Sequence, residues 1–209
     1  MPNSHDLSNS EGLVKTYDLL TSLISDVQYS FEILHNDENL QSSRRNVVRS
    51  TFSFIEGVIQ ILKFELKADF RLGKTDKALT KKETEILYDV KTIENRKIPW
   101  NVPLDVNLKK TILIAAKTWC SKKDIFEFSS DSYNSFLRAK STRNRLTHPR
   151  TYYDIQISEE EIKQMAITFK WMKELFVSII EEKIKVILET LPNEVVNAYK
   201  IQQLKEYCC

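Results

Sequence analysis

Glycine is nearly absent from this chain, with three in 209 residues: Gly12, Gly57 and Gly73. They stand far apart, so no glycine-rich loop exists to cradle a dinucleotide or a triphosphate, which excludes Rossmann dehydrogenases, P-loop NTPases and protein kinases. Hairpin turns draw on Gly or on Asn-Gly, and neither pattern recurs, which argues against β structure. Cysteine is as scarce. Cys120, Cys208 and Cys209 form no CxxC and no disulfide framework, which suits a reducing compartment. The histidines, His5, His35 and His148, do not fall at zinc-ligand spacing from the cysteines, so no metal or other cofactor is expected. The opening MPNSHDLSNSEG has no apolar core of a secretory signal, and no stretch approaches the roughly 18 apolar residues of a membrane span. A cytoplasmic chain with no membrane partner is the expectation.

What is present is a charged, helix-forming sequence. Hydrophobic residues make up 42% and charged residues 29%, at a formal net charge of +2, so the chain can bury a core and is not uniformly basic. A nucleic-acid partner would need a local basic patch. Leu13, Tyr17, Leu20, Ile24, Val27, Phe31 and Leu34 recur at three- and four-residue steps, one face of an amphipathic helix. From about 42 to 70, Val48, Phe52, Ile55, Ile59, Leu62 and Leu66 form a stripe that Val47, Phe54, Val58 and Ile61 widen, with Glu56 and Gly57 interrupting it. A helix apolar over so much of its circumference is expected at the centre of a bundle. Thr80-Lys-Lys-Glu83 is a capping box opening a helix toward Arg96, and Ile98 to Pro103 reads as a loop broken by Pro99 and Pro103. A short helix from about Asp105 to Trp119 follows, then one capped by Ser130 or Asp131 and running to Thr147, where Pro149 disfavours helix at His148. Ser158-Glu-Glu-Glu161 caps a long helix through Ile180. The fold class is all-α, a single helical bundle with long central helices. A flexible stretch is expected over 1–12, the main domain over 13–191, and a short helical extension over 192–209 beyond Pro192.

One stretch differs from solvated helix surface. Residues 138–150 hold Arg138, Lys140, Arg143, Arg145 and Arg150, no acid, and the only histidine beyond residue 35, His148. Arg and Lys suit phosphate contacts, and an imidazole moves protons near neutral pH. Together they point to chemistry on a phosphodiester. On an ideal helix Arg143 and His148 lie about 140° apart and share no face, whereas Asn144 and Arg145 fall within one turn of His148. Either the chain turns His148 toward a cleft at Pro149, or two copies meet so that the Arg of one lies beside the His of the other.

The string Arg143-Asn144-Arg145-Leu146-Thr147-His148-Pro149 resembles the motif of the HEPN superfamily, an Arg with a polar neighbour followed four to six residues later by His. Arg44-Arg-Asn-Val-Val-Arg49 leading into Phe54-Ile-Glu56-Gly57 is similar to the long early helix of that family, and the resemblance extends over about 40–190. It implies a metal-independent endoribonuclease acting as a homodimer, with RNA as substrate, in a toxin–antitoxin, defence or RNA-processing setting, where an antitoxin or inhibitor protein is a further partner. His148 would then act as general base or acid and Arg143 would stabilise charge on phosphorus. Asn144 would orient His148 or the phosphate, and Glu56 would hydrogen-bond into the site. Arg138, Lys140, Arg145 and Arg150 would hold flanking phosphates.

Plainer readings stand beside these. His148-Pro149 can simply end a helix, and the cations can be a solvated face. Arg44, Arg45 and Arg49 read as surface pairing residues, Glu56 as an acid needing an arginine partner, and Trp100, Trp119, Trp171 and the many Phe and Tyr as core. Cys208 and Cys209 carry no assigned role. Two alternatives to an enzyme remain: a HEPN module that binds nucleic acid or nucleotide without catalysis, and a dimeric helical protein-interaction domain.

Overall fold

Helix α1 (Ser4–Asn36) leads into α2 (Gln41–Arg71), and each of the other five helices touches α2. The computed structural model describes residues 4–37, 40–75, 77–120, 128 and 130–190. The expected extension over 192–209, with Cys208 and Cys209, lies outside them. Val47, Phe54, Ile55, Val58, Leu62 and Leu66 of α2 are wholly buried, which fits a stripe too wide for a surface helix. On α1, the Leu20, Ile24, Val27, Phe31 and Leu34 stripe packs onto this core. The helix itself starts at Ser4, so most of the stretch expected to be flexible is helical. Gly57 marks where α1 crosses α2 closely: a Cβ there would meet Leu23 Cδ1 at 2.3 Å.

The structure corrects the reading of 89–99. Helix α3 (Lys81–Tyr88) opens on the expected capping box, with Thr80 N–H donating to Glu83 Oε2 at 2.7 Å and Glu83 N–H to Thr80 Oγ1 at 3.2 Å. It stops at Asp89, which is left-handed (φ 52°), rather than continuing to Arg96. Strands β1 (Val90–Ile93) and β2 (Arg96–Pro99) then pair antiparallel, Val90 opposite Pro99 and Ile93 opposite Arg96. The turn residues Glu94 and Asn95 both have positive φ, 48° and 64°. This is the primed geometry a two-residue hairpin needs, reached here without glycine. The β-branched Val90, Thr92 and Ile93 favour a pleat over a helix. Asp89 also anchors the hairpin, pairing with the buried Lys63 Nζ at 2.5 Å and accepting at its carbonyl from Trp100 N–H at 2.9 Å. Burial pulls the Lys63 pKa below the usual lysine value against the opposing effect of Asp89.

Helix α4 (Leu104–Trp119) follows, then α5 (Asp131–Thr147), whose first turn is capped by Ser130 accepting from Tyr133 N–H. A 3-10 turn (Tyr152–Ile155) joins α5 to α6 (Glu159–Thr190). On α5, the buried Phe136 sits against Phe52 of α2 (centroids 6.5 Å) and Trp171 of α6 (6.1 Å), which fixes α5 to both. Farther along, Lys183 of α6 reaches Glu65 (2.6 Å) and Asp69 (3.2 Å) of α2, with the Trp119 ring 4.6 Å from its nitrogen and the indole N–H on Asp69. Among the described residues, no helix is long and apolar enough to cross a membrane.

Candidate active-site cleft

The C-terminal half of α5 lies between α2 and the start of α4, and a cleft of about 550 Å³ opens there. Glu56 and Gln60 of α2, Asp105 of α4, and Lys140, Arg143 and Asn144 of α5 line it. Arg143 Nη2 donates to Glu56 Oε1 at 2.8 Å, and its Nη1 stands 3.4 Å from Asn144 Oδ1. Lys140 Nζ pairs with Asp105 Oδ1 at 2.8 Å. That hydrogen bond, before the cost of burial, holds the Asp105 carboxyl below the usual carboxylate range. Glu56 is not embedded in the apolar face of α2. It is exposed at the cleft edge, where a side-chain partner and water both reach it.

The structure therefore brings together four of the expected site residues: Glu56, Lys140, Arg143 and Asn144. His148 is not among the cleft-lining side chains. It caps α5 (φ −129°, ψ 60°), its N–H donating to Asn144 C=O at 3.2 Å, and its exposed imidazole has no partner among the described residues. The half-turn separation expected from helix geometry is what the fold displays. Arg143 belongs to the cleft side of α5, while Arg138, Ser141 and His148 are exposed and absent from the cleft lining.

Arg145 serves the fold. Its Nη1 donates to the carbonyls of Tyr153 (3.1 Å), Asp154 (2.6 Å) and Gln156 (2.9 Å), and its Nη2 pairs with Glu161 of α6. The side chain expected to hold a flanking phosphate is thus engaged within the fold. The Glu161 carboxylate also receives Thr142 Oγ1 and the capping-box amide of Ser158. Burial alone would raise its pKa, but the Ser158 amide, the Thr142 hydroxyl and Arg145 together hold it below the ordinary glutamate value. Asp154 takes the N–H groups of Arg150 and Thr151, both at 2.8 Å, which lowers its pKa. The Arg150 and Arg138 guanidiniums are exposed and have no ion pair among the described residues.

Residues 138–150 carry no acid, yet three of their five cations meet one: Lys140 on α4, Arg143 on α2 and Arg145 on α6. Pairing across helices, rather than along one, neutralises the run. Arg44 and Arg45 likewise donate to backbone, the carbonyls of Ile157 (2.9 Å) and Ile155 (3.2 Å) respectively. Asp105, Gln60 and the cleft asparagines Asn101 and Asn107 were not singled out from sequence, because isolated polar residues carry no periodic signal. Tyr152 and Tyr153, read as core, are 70% and 79% exposed. The Thr151-x-x-Asp154 spacing, a capping-box signature, is the sequence signal for the turn that displays them.

Compared with known proteins, the chain matches no family model, no curated protein and no solved structure.

Proposed function

We propose that the chain is a metal-independent endoribonuclease of the HEPN type, acting as a homodimer. The observation that supports this best is the C-terminal end of α5. There Arg143 and Asn144 line a polar cleft while His148, one turn on, keeps an exposed imidazole with no partner among the described residues. A structural helix end has no need of all three. In this reading the RNA 2′-oxygen attacks the adjacent phosphorus, the O2′–P bond forms and the P–O5′ bond breaks. The proton lost by the 2′-hydroxyl is matched by one gained at O5′, and His148 takes or returns it. Arg143 stabilises the charge that builds on the non-bridging oxygens, and Glu56 and Asn144 aim its guanidinium. The products are a 2′,3′-cyclic phosphate and a 5′-hydroxyl. Because Arg143 and His148 face different sides of one helix, the reactive pair is assembled from two copies, the arginine of one against the histidine of the other. The setting is a defence or toxin role in the cytoplasm, held in check by an inhibitor protein.

A binding module without catalysis is the second reading, favoured by the Glu56–Arg143 ion pair, which already occupies the arginine. An assay of labelled RNA with wild type, Arg143→Ala and His148→Ala decides between them. The enzyme reading expects cleavage to fall by about 100-fold or more in either variant. Equal cleavage by His148→Ala and wild type would falsify it.

A further inference from the structure

Two large aromatic rings stand in water immediately after the motif. Tyr152 and Tyr153 lie edge to face with centroids 6.1 Å apart, 70% and 79% exposed. Their backbone is fixed from several directions. Arg145 holds the carbonyl of Tyr153, and Asp154 closes the turn through the amides of Arg150 and Thr151 and the Thr151 hydroxyl. Nothing in the fold needs these rings, since they bury little and the turn is held by its own polar groups. Such side chains, rigidly mounted and left open, are suited to receiving a flat ligand. The charge around them selects which kind. The guanidinium of Arg150, two residues before Tyr152, has no ion pair among the described residues. On α5, the exposed His148 imidazole and Arg138 guanidinium have no ion pair or hydrogen bond among the described residues. Aromatic faces that follow a cation with no ion pair among the described residues, Arg150, match a polyanion with exposed bases.

We infer that Tyr152 and Tyr153 form a stacking platform for unpaired nucleobases, so that the RNA bound at this site is single-stranded. This rests on the ribonuclease reading and adds the substrate class to it. A duplex hides its base faces and offers the platform nothing, whereas a single strand can place one or two bases on the tyrosines while its phosphates meet Arg150 and Arg138.

The test uses the full chain and a 2′-O-methyl single-stranded oligonucleotide carrying 2-aminopurine, which has no free 2′-hydroxyl and cannot be cleaved. Wild type is expected to bind it and quench the 2-aminopurine. The Tyr152→Ala/Tyr153→Ala variant is expected to bind on the order of tenfold more weakly without quenching, and the corresponding double Phe variant to bind as wild type does. A perfect duplex of the same sequence is expected to bind the wild type and Ala variant alike. Wild-type binding that survives in the Ala variant overturns the platform and leaves the ribonuclease reading standing. A wild type that neither binds nor cleaves single-stranded RNA overturns both. A double Ala variant that loses a solution dimer but keeps RNA binding per protomer overturns the platform by making the tyrosines a protein contact.

Discussion

Arg143 and Glu56, 87 residues apart in sequence, meet at 2.8 Å across the cleft between α5 and α2. Both side chains remain partly open, 34% and 47%. A pair so exposed contributes little to stability, about 0–1 kcal/mol, so its main effect is to hold one guanidinium at the cleft mouth. It also places a negative charge where a phosphate would approach. Glu56→Gln keeps a carbonyl for Arg143 and removes that charge. The expected outcome is severalfold tighter RNA binding with a melting temperature shifted by no more than a few degrees. Fluorescence anisotropy with a non-cleavable strand measures it, and weaker binding would mean that RNA does not enter this cleft.

Placement of Arg143 in the cleft and His148 outside it makes the proposed composite site testable. Neither Arg143→Ala nor His148→Ala should cleave alone. Mixed and allowed to exchange subunits, half of the dimers are heterodimers, each with one intact composite site of two, so about a quarter of wild-type activity returns. If both residues act within one protomer, the mixture stays inactive.

Arg145 and Glu161 fix the turn that follows the motif. Arg145→Ala strips three carbonyls and a half-buried carboxylate of their shared donor, a loss of about 2–3 kcal/mol readable by urea denaturation. The Glu161 link also fixes a pH dependence. Its native pKa is depressed, so the stabilisation is fully present above the ordinary glutamate value of 4.5 and is lost as pH falls through the lower native value. Unfolding curves taken downward from pH 5 should show this decline in wild type and a shallower one in Glu161→Gln.

A second ion cluster, remote from the cleft, binds the far end of α6. Lys183 is buried against Glu65, Asp69 and the Trp119 ring, and removing it leaves two carboxylates inside the protein with one fewer cation. Lys183→Met should cost about 3–5 kcal/mol by chemical denaturation. Ribonuclease activity measured well below the melting temperature should be unchanged.

Helix positions were legible in the sequence wherever an apolar stripe or a cap stood out. The α2 stripe, the Thr80 and Ser158 capping boxes, and the stop of α5 before Pro149 all appear in the structure. The hairpin was not legible, because its turn places Glu94 and Asn95 in positive φ, a conformation that composition rules assign to glycine. The cleft was half legible. Lys140, Arg143 and Asn144 mark one wall in a short window and Glu56 stood out as an acid needing an arginine partner, but Asp105 joins them through a tertiary contact that no local spacing encodes. The same gap misplaced Tyr152 and Tyr153, since aromatic residues signal burial on average and only the surrounding fold reveals the exceptions.

Because Lys140, Arg143 and Arg145 each already face a carboxylate, the thirteen-residue run behaves as far fewer charges than it contains. Binding a single strand releases condensed counterions in proportion to the phosphates neutralised, with a slope of log affinity against log salt near −0.7 per phosphate. Five free cations would give a slope of about −3.5, and the two without an ion pair among the described residues, Arg138 and Arg150, give about −1.4. The same strand should therefore keep most of its affinity at ionic strengths that strip RNA from an ordinary basic patch.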